Sequence, residues 1–186
     1  MTIRRMAGPP ATQRGTTLIE QVMTLVIAAI LTGVAIPPMH RLLGRNRLQA
    51  AQTDFIAALQ HARETAVTSG RRTLFCPTLD GSSCVDQTRW DTGWLLAHDQ
   101  DGDHQPDHDP LYIGRRYDGK LVIYSSTGRH YVRFSPEGNA SGSNITLLFC
   151  QQGNTAGALS VIVSNAGRIR GAPANAAQAV QCAQAG

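Results

Sequence analysis

The sequence predicts an α+β fold in which one long N-terminal helix precedes an antiparallel β-rich head. Three observations predict it. Residues 18–39 form an almost uncharged apolar run whose only formal charge is Glu20. Beyond it Leu48, Ala51, Phe55, Leu59, Ala62 and Ala66 recur at intervals of three and four, the signature of one helix face. From residue 71 onward short β-prone runs are punctuated by Gly, Asn, Asp and Pro, and strands in sequence after one helix favour antiparallel pairing.

Taken in order, the apolar run is about twenty residues long, enough for a helix to cross about 30 Å of hydrocarbon. A carboxylate within such a span is costly unless paired, which singles out Glu20. Arg4, Arg5 and Arg14 precede the run, so the positive-inside rule puts the leader in the cytoplasm and the remainder outside. Pro37 and Pro38 lack amide donors and are expected to interrupt or kink the helix. Its continuation presents Gln52, Asp54, Gln60, Arg63 and Glu64 on the polar side and ends near Ser69-Gly70, with the glycine as C-cap. Strands are expected at 72–76, 93–98, 111–115, 121–124, 131–134, 145–150, 159–163 and 168–169. The domain reading is a leader at 1–15, a membrane and assembly helix at 16–39, its amphipathic continuation at 40–69, and a head at 70–186.

Four cysteines without a Cys-x-x-Cys unit suit an oxidising compartment better than zinc or dithiol chemistry. Three pairings are possible. The favoured one joins Cys76 to Cys84 across a short Gly/Ser-containing loop and Cys150 to Cys182, tying an otherwise loose Ala/Gln-rich tail to the sheet. No glycine-rich phosphate loop, Gly-x-Ser-x-Gly elbow or His-Glu-x-x-His helix is present, so no catalytic residue, enzyme activity or cofactor is expected. Seventeen basic residues face thirteen acidic ones, but three of the basic residues lie before Gly15. Residues 110–186 carry seven basic residues against Asp118 and Glu137.

The order Gly15-Thr16-Thr17-Leu18-Ile19-Glu20, after a basic leader and before the apolar run, resembles the class III signal of type IV prepilins and type II secretion pseudopilins. Thr16 stands where that pattern usually has phenylalanine. The resemblance implies cleavage by a prepilin peptidase between Gly15 and Thr16. It further implies that Glu20 neutralises the N-terminal amine of a neighbouring subunit during assembly. Together with Trp90-Asp91-x-Gly93-Trp94, an acidic loop and late cysteines, it narrows to the FimT/FimU/GspH group of minor pilins. The implied fold is type IV pilin-like. The implied course runs from a single-pass inner-membrane protein with a periplasmic head to a surface pilus built with other major and minor pilins.

Within that group, Gly167-Arg168-Ile169-Arg170 resembles the Gly-Arg-x-Arg motif of FimT-type pilins that bind DNA in natural transformation. Two guanidinium groups, two residues apart on a strand, can engage consecutive phosphates without reading sequence. Arg115, Arg116, Arg71 and Arg72 are candidates to extend the surface, with Arg129 and Arg133 behind them. The alternative implied by the same resemblance is a structural, priming minor pilin or a GspH-type pseudopilin without DNA binding. Asp99, Asp101, Asp103, Asp107 and Asp109 alternate through a second polar loop that reads either as a solvated turn or as an oxygen-ligand calcium loop. It departs from an EF-hand, because its glycine falls at the fourth position and the twelfth lacks glutamate.

Overall fold

The computed structural model describes residues 15–117, 119–126 and 128–184, except for the side chains of residues 33–41. The leader expected at the N-terminus, with Arg4, Arg5 and Arg14, lies outside the described residues. Helix α1 spans Leu18–Ser69. Its start is set by Thr17, whose carbonyl accepts the amides of Glu20 and Gln21 at 3.1 and 3.2 Å. The Glu20 amide also reaches the Thr17 hydroxyl at 3.4 Å, and Thr-x-x-Glu is the order of a capping box. Helical structure continues through Pro37 and Pro38, where the sequence predicts an interruption or a kink, so the helix is not broken there. Proline removes a donor, yet its fixed φ near −65° is itself helical. Gly70, at φ 65°, ends the helix in the left-handed conformation that glycine adopts without strain.

The chain divides at Arg41/Leu42 into two units. In the first, the described apolar side chains are exposed, with Leu18 at 82% and Leu25 at 70%. Among the described residues no helix is long and apolar enough to cross a membrane. The described side chains of the predicted span stop at Thr32, and its remainder lies outside them.

The second unit holds all the strands, in two four-stranded antiparallel sheets. The first sheet has the order β3 (Tyr112–Gly114), β2 (Trp94–His98), β1 (Thr73–Pro77), β5 (Val132–Phe134). The second has the order β4 (Leu121–Ser125), β6 (Ile145–Gln151), β7 (Asn154–Val163), β8 (Ile169–Pro173). The six apolar positions of the helix face are all buried and meet the inner sides of both sheets. Phe55 is the hub: its ring contacts Phe75, Trp90, Trp94 and Phe149 at centroid distances of 5.3–6.3 Å.

Alternation along each strand then leaves a second apolar strip on each sheet's outer side. On the first sheet it comprises Leu74, Cys76, Leu95 and Ala97. On the second, Val122, Leu148, Cys150 and Ala158 pack with Ala179 and Cys182 of α2 (Ala176–Gln184). The tail is tied to the sheet by the expected disulfide, and it also forms a helix beyond the elements expected from the sequence. Asn175 starts the helix by accepting the Gln178 amide at 2.9 Å, and Cys182 is bonded to Cys150 with Cα atoms 6.0 Å apart. Cys76 and Cys84 are bonded with Cα atoms 5.6 Å apart.

Candidate nucleic-acid interface

The hairpin joining β7 to β8 is built on Ser164. Its carbonyl accepts the Gly167 amide at 2.8 Å, its amide donates to the Arg168 carbonyl at 3.0 Å, and its hydroxyl accepts the Arg168 amide at 3.2 Å. Gly167 is buried with φ 74°, and a Cβ there would collide with the Gly138 carbonyl oxygen. That same oxygen accepts the Nε–H of Arg63 at 2.8 Å. Helix α1, the turn at Gly138 and the hairpin at Gly167 are thus pinned together, and only glycine fits the last position.

From this pinned turn the strand alternates. Ile169 packs against the main core, and Gly171 lies so near Gln52 and Ile56 of α1 that a Cβ would sit 3.0 Å from each. Arg170, opposite Ile162 in the register, therefore belongs to the face turned away from the long helix. Arg168 sits at the end of the turn, just before the strand. Both arginines are exposed, and among the described residues neither side chain makes a hydrogen bond or ion pair. β8 is also the edge of its sheet, so the pair borders an unpaired rim.

The other basic candidates are not gathered with this pair on β8. Arg115 and Arg116 follow β3, at an edge of the first sheet. Arg115 bonds Asp54 at 2.6 Å and lies 5.3 Å from the Tyr117 ring centre. Those contacts, the Asp54 bond first, hold its guanidinium above its ordinary value, while burial followed by the Asp54 charge pushes the Tyr117 phenol up. Arg116 is exposed. Arg71 and Arg72 precede β1, with Arg71 facing the Gln100 side-chain amide and Arg72 flanking Gly102. Arg129 donates to the Gly142 carbonyl at 2.9 Å, and Arg133 lies 3.4 Å from His104.

A family model described as type II transport protein GspH matches residues 51–167. The chain belongs to the GspH family. The second unit shares its fold with the type IV minor pilin FimU of Pseudomonas aeruginosa, seen in two crystal forms. One has 24% identity and TM-score 0.57 over 72% of this chain and 92% of FimU; the other has 24% and 0.53 over 67% and 92%. The minor pseudopilin EpsH from the type 2 secretion system of Vibrio cholerae aligns at 13% identity and TM-score 0.48, over 67% of this chain and 95% of EpsH. Among curated proteins, none matches the sequence.

The GspH match ends at Gly167, so the two arginines stand just past it. Gln52 and Arg63, which build their support, belong by sequence to the polar side of the helix. Gln52 donates to the carbonyls of Ser160 and Ala172 at 2.8 and 3.3 Å, and Arg63 reaches Gly138. Long polar side chains at the flank of an apolar stripe can reach main-chain carbonyls, but their spacing alone does not separate that use from solvation.

Proposed function

We propose that this GspH-family chain is a minor pilin whose head binds DNA through its phosphates, without sequence preference, for uptake in natural transformation. The observation that carries the reading is the Arg168–Arg170 pair: exposed, free of partners among the described residues, and held by a turn that only glycine satisfies. Guanidinium groups without internal partners are available for phosphate, whereas Arg115 is engaged by Asp54. Arg116, Arg71 and Arg72 would act as outlying contacts, because they flank strands of the other sheet.

The N-terminal half of the reading rests on the sequence. Prepilin peptidase cleaves between Gly15 and Thr16, residues 16–39 hold the protein in the inner membrane with the head in the periplasm, and Glu20 serves assembly beside other pilins in a surface pilus. Its role is structural and adhesive, not catalytic. A second reading is favoured by the family match, whose description is a type II transport protein. In it the chain is a priming minor pilin or a secretion pseudopilin, and the arginines only blunt an exposed strand edge.

The deciding experiment titrates DNA against the full chain in detergent, with disulfides formed, at several salt concentrations. Each phosphate contact contributes about 0.9 to the slope of log affinity against log salt for duplex DNA. Arg168→Ala/Arg170→Ala should therefore lower that slope by about 2 and weaken binding at low salt. Absence of binding by the unaltered chain at low salt would overturn the reading in favour of the structural one. So would an unchanged slope in the variant.

A further inference from the structure

The loop between β2 and β3 draws three carboxylates together. One oxygen from each of Asp99, Asp101 and Asp107 lies within 4.8 Å of the others. Asp99 is 0% exposed, and its Oδ2 has no hydrogen-bond donor. A buried carboxylate oxygen without a donor is costly, and two more carboxylates nearby add repulsion where compensation is needed.

The loop spends its own donors on the other oxygens. The Gly102 amide donates to Asp99 Oδ1 at 2.8 Å, the Asp103 amide to Asp101 Oδ1 at 3.2 Å, and the Gln100 amide to Asp107 Oδ2 at 3.0 Å. Among the described residues, Asp99 Oδ2, Asp101 Oδ2 and Asp107 Oδ1 are left over. Two cationic side chains border the loop, since a Cβ at Gly102 would lie 3.3 Å from Arg72 Nη1 and 3.7 Å from Arg133 Nη1. Neither makes an ion pair with the three aspartates among the described residues, and Arg133 is turned to His104. Asp103, Asp109, His98 and His108 complete the ionisable groups of the segment.

We propose that Asp99, Asp101 and Asp107 form a calcium site. The donor set is all oxygen, which suits a hard cation. Three monodentate carboxylates leave room for main-chain carbonyls and water in a shell of about 6–8 ligands, an irregular arrangement that calcium accepts and magnesium resists. The spacing differs from an EF-hand because the ligands converge through the fold of this loop. Gln105 then couples the site to the neighbouring disulfide segment, accepting the Cys84 amide at 3.0 Å and donating to its carbonyl at 3.2 Å. Calcium therefore steadies the cover over the outer side of the first sheet, whether or not the second sheet meets DNA.

The test uses the full chain in detergent, disulfides intact and stripped by chelator. Calcium chloride is titrated by calorimetry, and melting is followed in calcium, magnesium and chelator. Saturable one-to-one binding and a higher Tm in calcium than in magnesium are expected. Asp101→Asn, at an exposed position, and Asp107→Asn, at a half-buried one, should each weaken calcium affinity at least about tenfold while leaving the calcium-free circular dichroism spectrum unchanged. The proposal fails if up to about millimolar calcium gives neither heat nor a Tm change. It also fails if magnesium matches calcium or if both variants bind as tightly as the unaltered chain.

Discussion

On the first sheet, the outer apolar strip packs with Cys84 and Tyr131 under long loops that carry several aspartates; on the second, the equivalent strip packs under the helix α2 beside an arginine-bearing edge. Each cover is fastened by one disulfide, but the first closes a separation of 8 residues and the second a separation of 32. The difference teaches how a small head keeps both faces of its sheets usable. The inner faces share one core under α1, while the outer faces are finished separately, one under a loop rich in carboxylates and the other under an uncharged helix. The acidic cover gathers carboxylates, and the basic rim keeps its arginines apart from them.

The covers can be separated experimentally. Chain-entropy loss in the unfolded state grows with loop length, so Cys150→Ser/Cys182→Ser should cost about 4 kcal/mol and Cys76→Ser/Cys84→Ser about 2.5 kcal/mol. Denaturant unfolding of the two variants measures both, and equal losses would break the comparison. Gly167→Ala places a Cβ in a left-handed residue against the Gly138 carbonyl and should cost roughly 1–3 kcal/mol by the same measurement. It should also disturb the hairpin that presents Arg168. The smallest effect belongs to Arg115→Ala, which removes a largely exposed pair with Asp54 and should cost less than about 1 kcal/mol. A large loss there would mean that the pair organises the β3 edge instead of decorating it.

The sequence reveals local features well and partnerships poorly. The helix face from Leu48 to Ala66, the capping Gly70 and all eight strand positions follow from periodicity and turn residues, which act over a few positions. The division into two sheets does not, because β1 pairs with β5 across an intervening β2, β3 and β4. Alternation marks which side chains face a core but is silent on which strand lies alongside. Helix α2 is hard to read from the sequence because its buried face, Ala179, Cys182 and Ala183, is short and built of small side chains, and its anchor is a distant disulfide. The Asp99 cluster was visible as a run of acids. Only the folded loop distinguishes the buried, donor-less oxygen of Asp99 from its solvated neighbours.

The pairing of β1 also has a consequence in time. Its partner β2 begins seventeen residues after β1 ends, whereas Val132 of β5, which faces Phe75, comes much later in the chain. Contacts between distant segments form late because loop closure must precede their gain. During synthesis β1 therefore acquires one neighbour well before the other. Cys76 and Cys84 are both present before β2 has emerged, so oxidation can fix the end of β1 while its second flank still waits for a strand.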